Sequence, residues 1–223
     1  NMMSTETTIP NTRESVGKIK LLFQLLKFRL SFLVAFSASF GYLLATKGSP
    51  DITTLVALSV GGFLVSGASI IINQVLEKDL DKLMKRTAHR PLPTERMPVQ
   101  EAIVYGIVVG VLGITLLAVF TNLLTVFLSL VSMLLYGLIY TPLKRVGVIA
   151  VWVGAIPGAL PPLLGWVAAT GEFTKEGLLI FAIQFVWQFP HFWAIAWVAD
   201  EDYKKAGFRL LPAQGECNFA SAL

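Results

Sequence analysis

The chain has 223 residues, 55% of them hydrophobic and only 14% charged, with a mean hydropathy of +0.68; a soluble domain carries about 25% charged residues, so this balance points to a bilayer. The single cysteine, Cys217, excludes a disulfide framework, a paired-cysteine zinc site and a CxxCH haem attachment. The net charge of +4 would suggest a nucleic-acid partner in a soluble protein; in a membrane protein it records topology, and no nucleic acid is expected.

Residues 1–20 are polar and carry Glu6 and Glu14. No apolar run ends in a cleavage site, and the acids argue against a transit peptide. This segment, in which Asn1 stands ahead of Met2, reads as a disordered cytosolic lead-in. A membrane span needs about 20 mostly apolar residues, and six stretches qualify: 30–46, 52–73, 98–120, 122–141, 146–170 and 177–199. The sequence thus predicts an all-α, polytopic membrane bundle at 21–212, followed by an atypical tail at 213–223. Gly106-x-x-x-Gly110 suits a close helix contact. The proline-rich "IPGALPP" at 156–162 predicts a kinked or broken fifth span.

Of the 18 Lys and Arg residues, all but Lys47 and Lys175 fall on one side of these spans. By the positive-inside rule the N-terminus, the 74–97 loop and the tail are therefore cytoplasmic. The acids follow: Glu77, Asp79 and Asp81 close the second span, and Asp200, Glu201 and Asp202 close the sixth. Two acidic clusters at equivalent places suggest a four-helix module used twice.

In "NQVLEKDLDKLMKRTAHRPLP" (73–93), Asn73, Glu77 and Asp81 recur every fourth residue. On a helix they form one stripe about 12 Å long, with Asp79 off its register. Oxygen ligands on one face at a membrane boundary suit Mg²⁺, which binds through one or two carboxylates plus substrate phosphates. Taken alone, the stripe is equally a solvated helix end paired with Lys78, Lys82 and Lys85. The second cluster favours a Mg²⁺-diphosphate pocket, with Arg86, Arg90, Lys144 and Lys204 offsetting the remaining negative charge.

The same stretch resembles the first acidic motif of the UbiA-type intramembrane prenyltransferases, and more closely their heme-farnesylating branch, the heme O synthases. "YTPLKR" (140–145), "GAIPGALPPLLGW" (154–166), "WQFPHFWAIA" (187–196) and "DEDYKKAGFRLLP" (200–212) follow in that branch's order. The resemblance covers residues 20 to 212. It implies a UbiA-like bundle in a bacterial inner membrane and transfer of farnesyl from farnesyl diphosphate to a vinyl group of protoheme IX (heme b), giving heme O. It further implies Mg²⁺ as cofactor, with the bilayer and heme A synthase or terminal-oxidase assembly proteins as partners. Carried over residue by residue, Asn73, Glu77 and Asp81 bind Mg²⁺-diphosphate with Asp79 beside them. Asp202, with Asp200 and Glu201, serves a second metal. Arg86, Arg90, Lys144 and Arg145 contact phosphate.

His191, in an aromatic-rich helix, is a candidate heme ligand or a histidine bonded to a backbone carbonyl. His89 reads as solvated or near phosphate. Tyr140, Trp187, Phe192 and Trp193 are candidates to shield an allylic cation or wall the acceptor site, and equally core packing. The family fold has about nine spans, whereas here no span follows the sixth; the sequence thus reads as a C-terminally truncated bundle. An inactive fragment, a prenyltransferase for 4-hydroxybenzoate or another aromatic acceptor, and a cation transporter are the alternatives. The last fits poorly, because carriers place their acids near the midplane.

Overall fold

A computed structural model describes residues 12–208. The expectations for the tail at 213–223 and for Cys217 fall outside these residues. Eight helices follow in order: α1 Thr12–Leu25, α2 Phe28–Ala45, α3 Ile52–Asp81, α4 Val99–Phe120, α5 Leu123–Leu143, α6 Ile149–Thr170, α7 Lys175–Val198 and the short α8 Asp200–Lys205. Helices α2 to α7 are long and apolar enough to cross a membrane, matching the six expected spans. Two boundaries differ from the reading of the sequence. Residues 12–20 belong to helix α1, not to an unstructured lead-in. Its last turn buries Leu25, and the adjoining Leu26 is buried too, against Ala68 and Ile71 of α3. The break expected at 74 falls instead at 82, because α3 runs on for two turns through the acidic stripe.

The turns are set by local chemistry. Asp51 caps α3, its carboxylate accepting from the Thr54 N–H at 2.8 Å and the Thr54 hydroxyl at 2.6 Å. Asn122 forms the tight turn between α4 and α5: its Oδ1 accepts from the Thr125 N–H at 2.9 Å, while its Nδ2 donates to the Val167 carbonyl of α6 at 2.8 Å. Thr87 Oγ1 donates to the Asp81 carbonyl at 2.9 Å, closing the end of α3.

Small residues set the helix spacing. Gly106 and Gly110 of α4 lie against Ile71 and Ala68 of α3, as the GxxxG spacing suggested. Helices α2 and α6 come closer still. A methyl group on Gly165 would overlap the Ala38 carbonyl oxygen, and one on Gly41 would overlap that of Pro162. Backbone, which cannot rotate away, is the obstacle. Gly165→Val is therefore expected to abolish recovery of folded protein in mild detergent, while Gly62→Ala, whose methyl meets only Ala35 at 3.9 Å, leaves size-exclusion profile and yield unchanged.

Helix α6 is continuous through Pro157, Pro161 and Pro162, so of the kink or break expected from "IPGALPP" the break does not occur. Pro162 has no N–H to offer the Gly158 carbonyl one turn back. Gln188 of α7 supplies the missing donor, its Nε2 reaching Gly158 O at 3.2 Å. The freed carbonyl becomes an interhelical contact instead of a break.

Candidate active site

Between α2, α3, α5, α6 and α7 lies a cavity of about 530 Å³. One face of α3, from Gly62 through Val65, Ser66, Ser69 and Asn73 to Glu77 and Asp81, runs along it. At 1.5 Å per residue this wall is about 28 Å long. Its charged end gathers Lys27, Glu77, Asp81, Arg86, Arg90 and Lys144; away from that end the lining includes the apolar Leu33, Val34, Val65 and Leu164.

The stripe behaves as its register requires. Asp81 is wholly buried and Glu77 is 4% exposed, whereas the Asp79 side chain is 75% exposed and only reaches Lys82 at 4.0 Å. Asn73 is buried, donating from Nδ2 to Thr141 Oγ1 at 3.0 Å. Thr141 Oγ1 in turn donates to the Tyr136 carbonyl five residues back, at 3.0 Å. Tyr136 lies in a π-helical turn over Leu135–Tyr140, a local widening of α5 of the kind found at functional sites. Tyr136 and Tyr140 both line the cavity and stack at 5.6 Å.

Two buried ion pairs organise the charged end. Lys144 Nζ bonds both Glu77 oxygens, at 2.8 and 3.1 Å, and sits 4.9 Å from the Tyr140 ring centre. Arg90 Nη1 donates to Asp81 Oδ2 at 2.6 Å. Asp81 Oδ1, also buried, has no partner among the described residues. A carboxylate oxygen left without a donor is costly in a dry site and matches what a hard cation seeks. The site thus has acceptors for a divalent ion, and its basic side chains stand beside them.

Other expectations are redistributed. Arg86 lines the cavity, but Arg145 is exposed and outside it. Both residues lie in the turn that follows α5, and only Lys144 faces inward. The second acidic cluster does not join the first: among the described residues no group of three His, Cys, Asp or Glu side chains is placed to hold a metal. Asp202 instead accepts the backbone N–H groups of Lys85 and Arg86, each at 3.2 Å. Those amides, Arg86's foremost, hold its carboxyl below the usual carboxylate range against the opposing effect of burial. Asp200 pairs with Lys204 at 2.7 Å, and Glu201 is exposed. Met84, Ala206 and Phe208 are buried together beside Tyr203, so the 82–98 loop and the segment after α7 form one cover over the charged end.

On α7, Trp187 and His191 stack at 4.7 Å, and both line the cavity with Phe192. Trp193 lies outside it, its indole N–H buried without a partner among the described residues. His89 is also outside the cavity. The residue missed by the sequence reading is Lys27. It sits in a left-handed conformation (φ 45°, ψ 61°) between α1 and α2 and lines the charged end. Burial, then Arg90, lower its pKa to about 7, with Asp81 opposing and Lys144 and Arg86 adding to the effect. A lysine just before an apolar run was the only signal available.

A family model for the UbiA prenyltransferase family matches residues 34–219. A protoheme IX farnesyltransferase from Cytophaga hutchinsonii is 54% identical over 198 residues, covering 89% of this chain and 69% of the relative. Those from Christiangramia forsetii (48%, covering 85% and 62%) and Nostoc sp. (37%, covering 95% and 67%) are similar as well. The chain thus spans about two thirds of the length of these curated relatives. Among solved structures, one of digeranylgeranylglyceryl phosphate synthase superposes with a TM-score of 0.75 at 20% identity, covering 88% of this chain and 68% of that one. A UbiA homolog from Archaeoglobus fulgidus bound to DMAPP and Mg²⁺ gives 0.69 at 19% identity, covering 84% and 67%.

Proposed function

We propose that this chain, which belongs to the UbiA prenyltransferase family and within it groups with the protoheme IX farnesyltransferases, transfers a farnesyl group from farnesyl diphosphate to a vinyl side chain of protoheme IX, giving heme O and diphosphate. The observation that carries this reading is the two-ended cavity, with buried acids and bases at one end and a long apolar slot at the other. A prenyl diphosphate divides its chemistry in the same way. A cation carrier would hold its acids near the midplane, but here they close α3.

In this reading Asn73, Glu77 and Asp81 would hold Mg²⁺, and the partnerless Asp81 Oδ1 supports that fit. The bound ion would supply charge neutralisation of the diphosphate. Arg86, Arg90 and Lys144, freed to turn toward phosphate, stabilise the leaving group. The farnesyl C1–O bond breaks with its electron pair going to diphosphate, the vinyl π pair forms the new C–C bond, and water adds to the cation left on the porphyrin side chain, its surplus proton passing to the released diphosphate. Tyr140 and Trp187 offer ring faces to the allylic cation. Asp202 holds the cover loop by its backbone; serving a second ion with Asp200 would require it to release those amides. The charge split and the bacterial relatives support a bacterial inner-membrane location with the acidic end cytoplasmic.

Purified protein given heme b, farnesyl diphosphate and Mg²⁺ is expected to form heme O, identified by mass. Prenylated 4-hydroxybenzoate in a parallel mixture, with heme unchanged, would replace the acceptor. If His191 ligates the iron, His191→Ala shifts the Soret band of bound heme and cuts transfer at least about tenfold. Farnesyl diphosphate binding should stay within about twofold of the unmodified protein, since among the described residues His191 makes no hydrogen bond or ion pair with the acids and bases of the charged end. An unchanged spectrum with normal turnover would return His191 to a packing role.

A further inference from the structure

A second cleft, of about 910 Å³, opens between the end of α1, α3 and the 82–98 loop. Lys27 and Arg90 line both this cleft and the main cavity, so the two spaces meet at a pair of cations. The cleft's other polar walls are Gln24, Gln74, His89, Thr94 and Arg96, and among the described residues no carboxylate lines it. His89 and Arg96 are exposed, which puts the mouth of the cleft in water. Arg96 is fixed at the rim, donating from Nη2 to the His89 carbonyl at 2.5 Å and from Nε to Thr94 Oγ1 at 2.9 Å. Arg90 has Asp81 as a counter-charge on the main-cavity side. The Lys27 ammonium makes no hydrogen bond or ion pair among the described residues. The walls therefore carry a surplus of basic groups along a path from the buried acids to solvent.

We propose that this cleft is the exit for the diphosphate product: a second anion site, on the solvent side of Lys27 and Arg90, that takes inorganic diphosphate as it leaves. The proposal rests on the prenyl-transfer reading. Its physical logic is a graded hand-over. The product is held at the inner end by buried cations, and Lys27, short of a partner, offers the next contact. His89 and Arg96 receive the anion where water can hydrate it. Passage back toward the apolar slot would instead strip that hydration from a multiply charged anion.

The test uses the double variant His89→Gln with Arg96→Gln, whose positions lie outside the main cavity. Single-turnover farnesyl transfer should match the unmodified protein within about twofold, while multiple turnover falls about fivefold and shows a burst, as for slowed product release. Equilibrium dialysis with labelled inorganic diphosphate should show the weaker of two sites lost in the variant. Unaltered multiple turnover together with unaltered diphosphate binding overturns the proposal. If the unmodified protein transfers no farnesyl group yet the variant still loses the weaker site, the assigned reaction fails and the anion site stands. An anionic lipid headgroup offers the same phosphate chemistry. Loss of the weaker site on moving the protein from phosphatidylcholine to phosphatidylglycerol nanodiscs would assign the cleft to lipid and overturn the exit.

Discussion

Replacing Glu77 or Asp81 with alanine is expected to reduce farnesyl transfer at least about a thousandfold, roughly 4 kcal/mol of transition-state stabilisation, while Asp79→Ala costs less than about threefold. The difference rests on one turn of helix. Glu77 and Asp81 are buried and face the cavity, and Asp79 points into solvent toward Lys82. Alanine at 81 also strands Arg90 as a buried, uncompensated charge, which typically costs about 3–5 kcal/mol of stability. Loss of activity could then reflect unfolding, so Asp81→Asn is the sharper variant: it keeps the volume and an acceptor for Arg90 but removes the charge. Turnover and thermal unfolding measured on all four proteins separate the effects. A fully active Asp81→Asn, or an Asp79→Ala as inactive as the other two, would break the assignment.

Lys27→Met is expected to stabilise the ligand-free protein while weakening inorganic diphosphate binding at least about tenfold. Burial and the Arg90 charge lower the Lys27 pKa from 10.5 to about 7. In the unfolded chain the amine keeps its proton up to its ordinary value. Below pH 7 both states carry the proton, and the folded state bears the full cost of a crowded, buried ammonium. As pH rises from about 7 toward 10.5 the folded state releases the proton first, so this group makes stability increase with pH across that window. Methionine keeps the length and removes the charge. Its unfolding temperature should exceed that of the unmodified protein by a few degrees at pH 6, and the gap should narrow by pH 9. A variant less stable at both pH values would show that the ammonium is compensated in the folded state.

Much of this architecture was legible because membranes impose a simple rule. Six apolar runs of sufficient length become six helices, and a four-residue recurrence of oxygen ligands becomes one face of α3. What was not legible depends on partners remote in sequence. Lys27 counts in the sequence only as one more inside charge; its burial beside Arg90 follows from the left-handed turn between α1 and α2. Asp202 carries a metal ligand's chemistry, yet two amides of the 82–98 loop take its oxygens. Arg145 reads as an equal of Lys144, and the turn after α5 points only Lys144 inward. The prolines of α6 signal a break only if nothing else can serve the freed carbonyl, and Gln188 does.

That last contact bears on how the chain enters the bilayer. Alone in hydrocarbon, α6 would hold at its centre a carbonyl with no donor in its own helix, at Gly158. Alone, α7 would likewise carry the bare amide of Gln188. Each orphan costs up to several kcal/mol in lipid, and each is the other's remedy. The two segments are therefore poor candidates for stepwise release from an insertion machinery and good ones for joint release as a hairpin. The loop at 171–174 joining them is short enough to allow pairing before either meets lipid. The proline-rich signature of α6 thus marks a membrane segment whose backbone is satisfied only once its neighbour α7 is beside it.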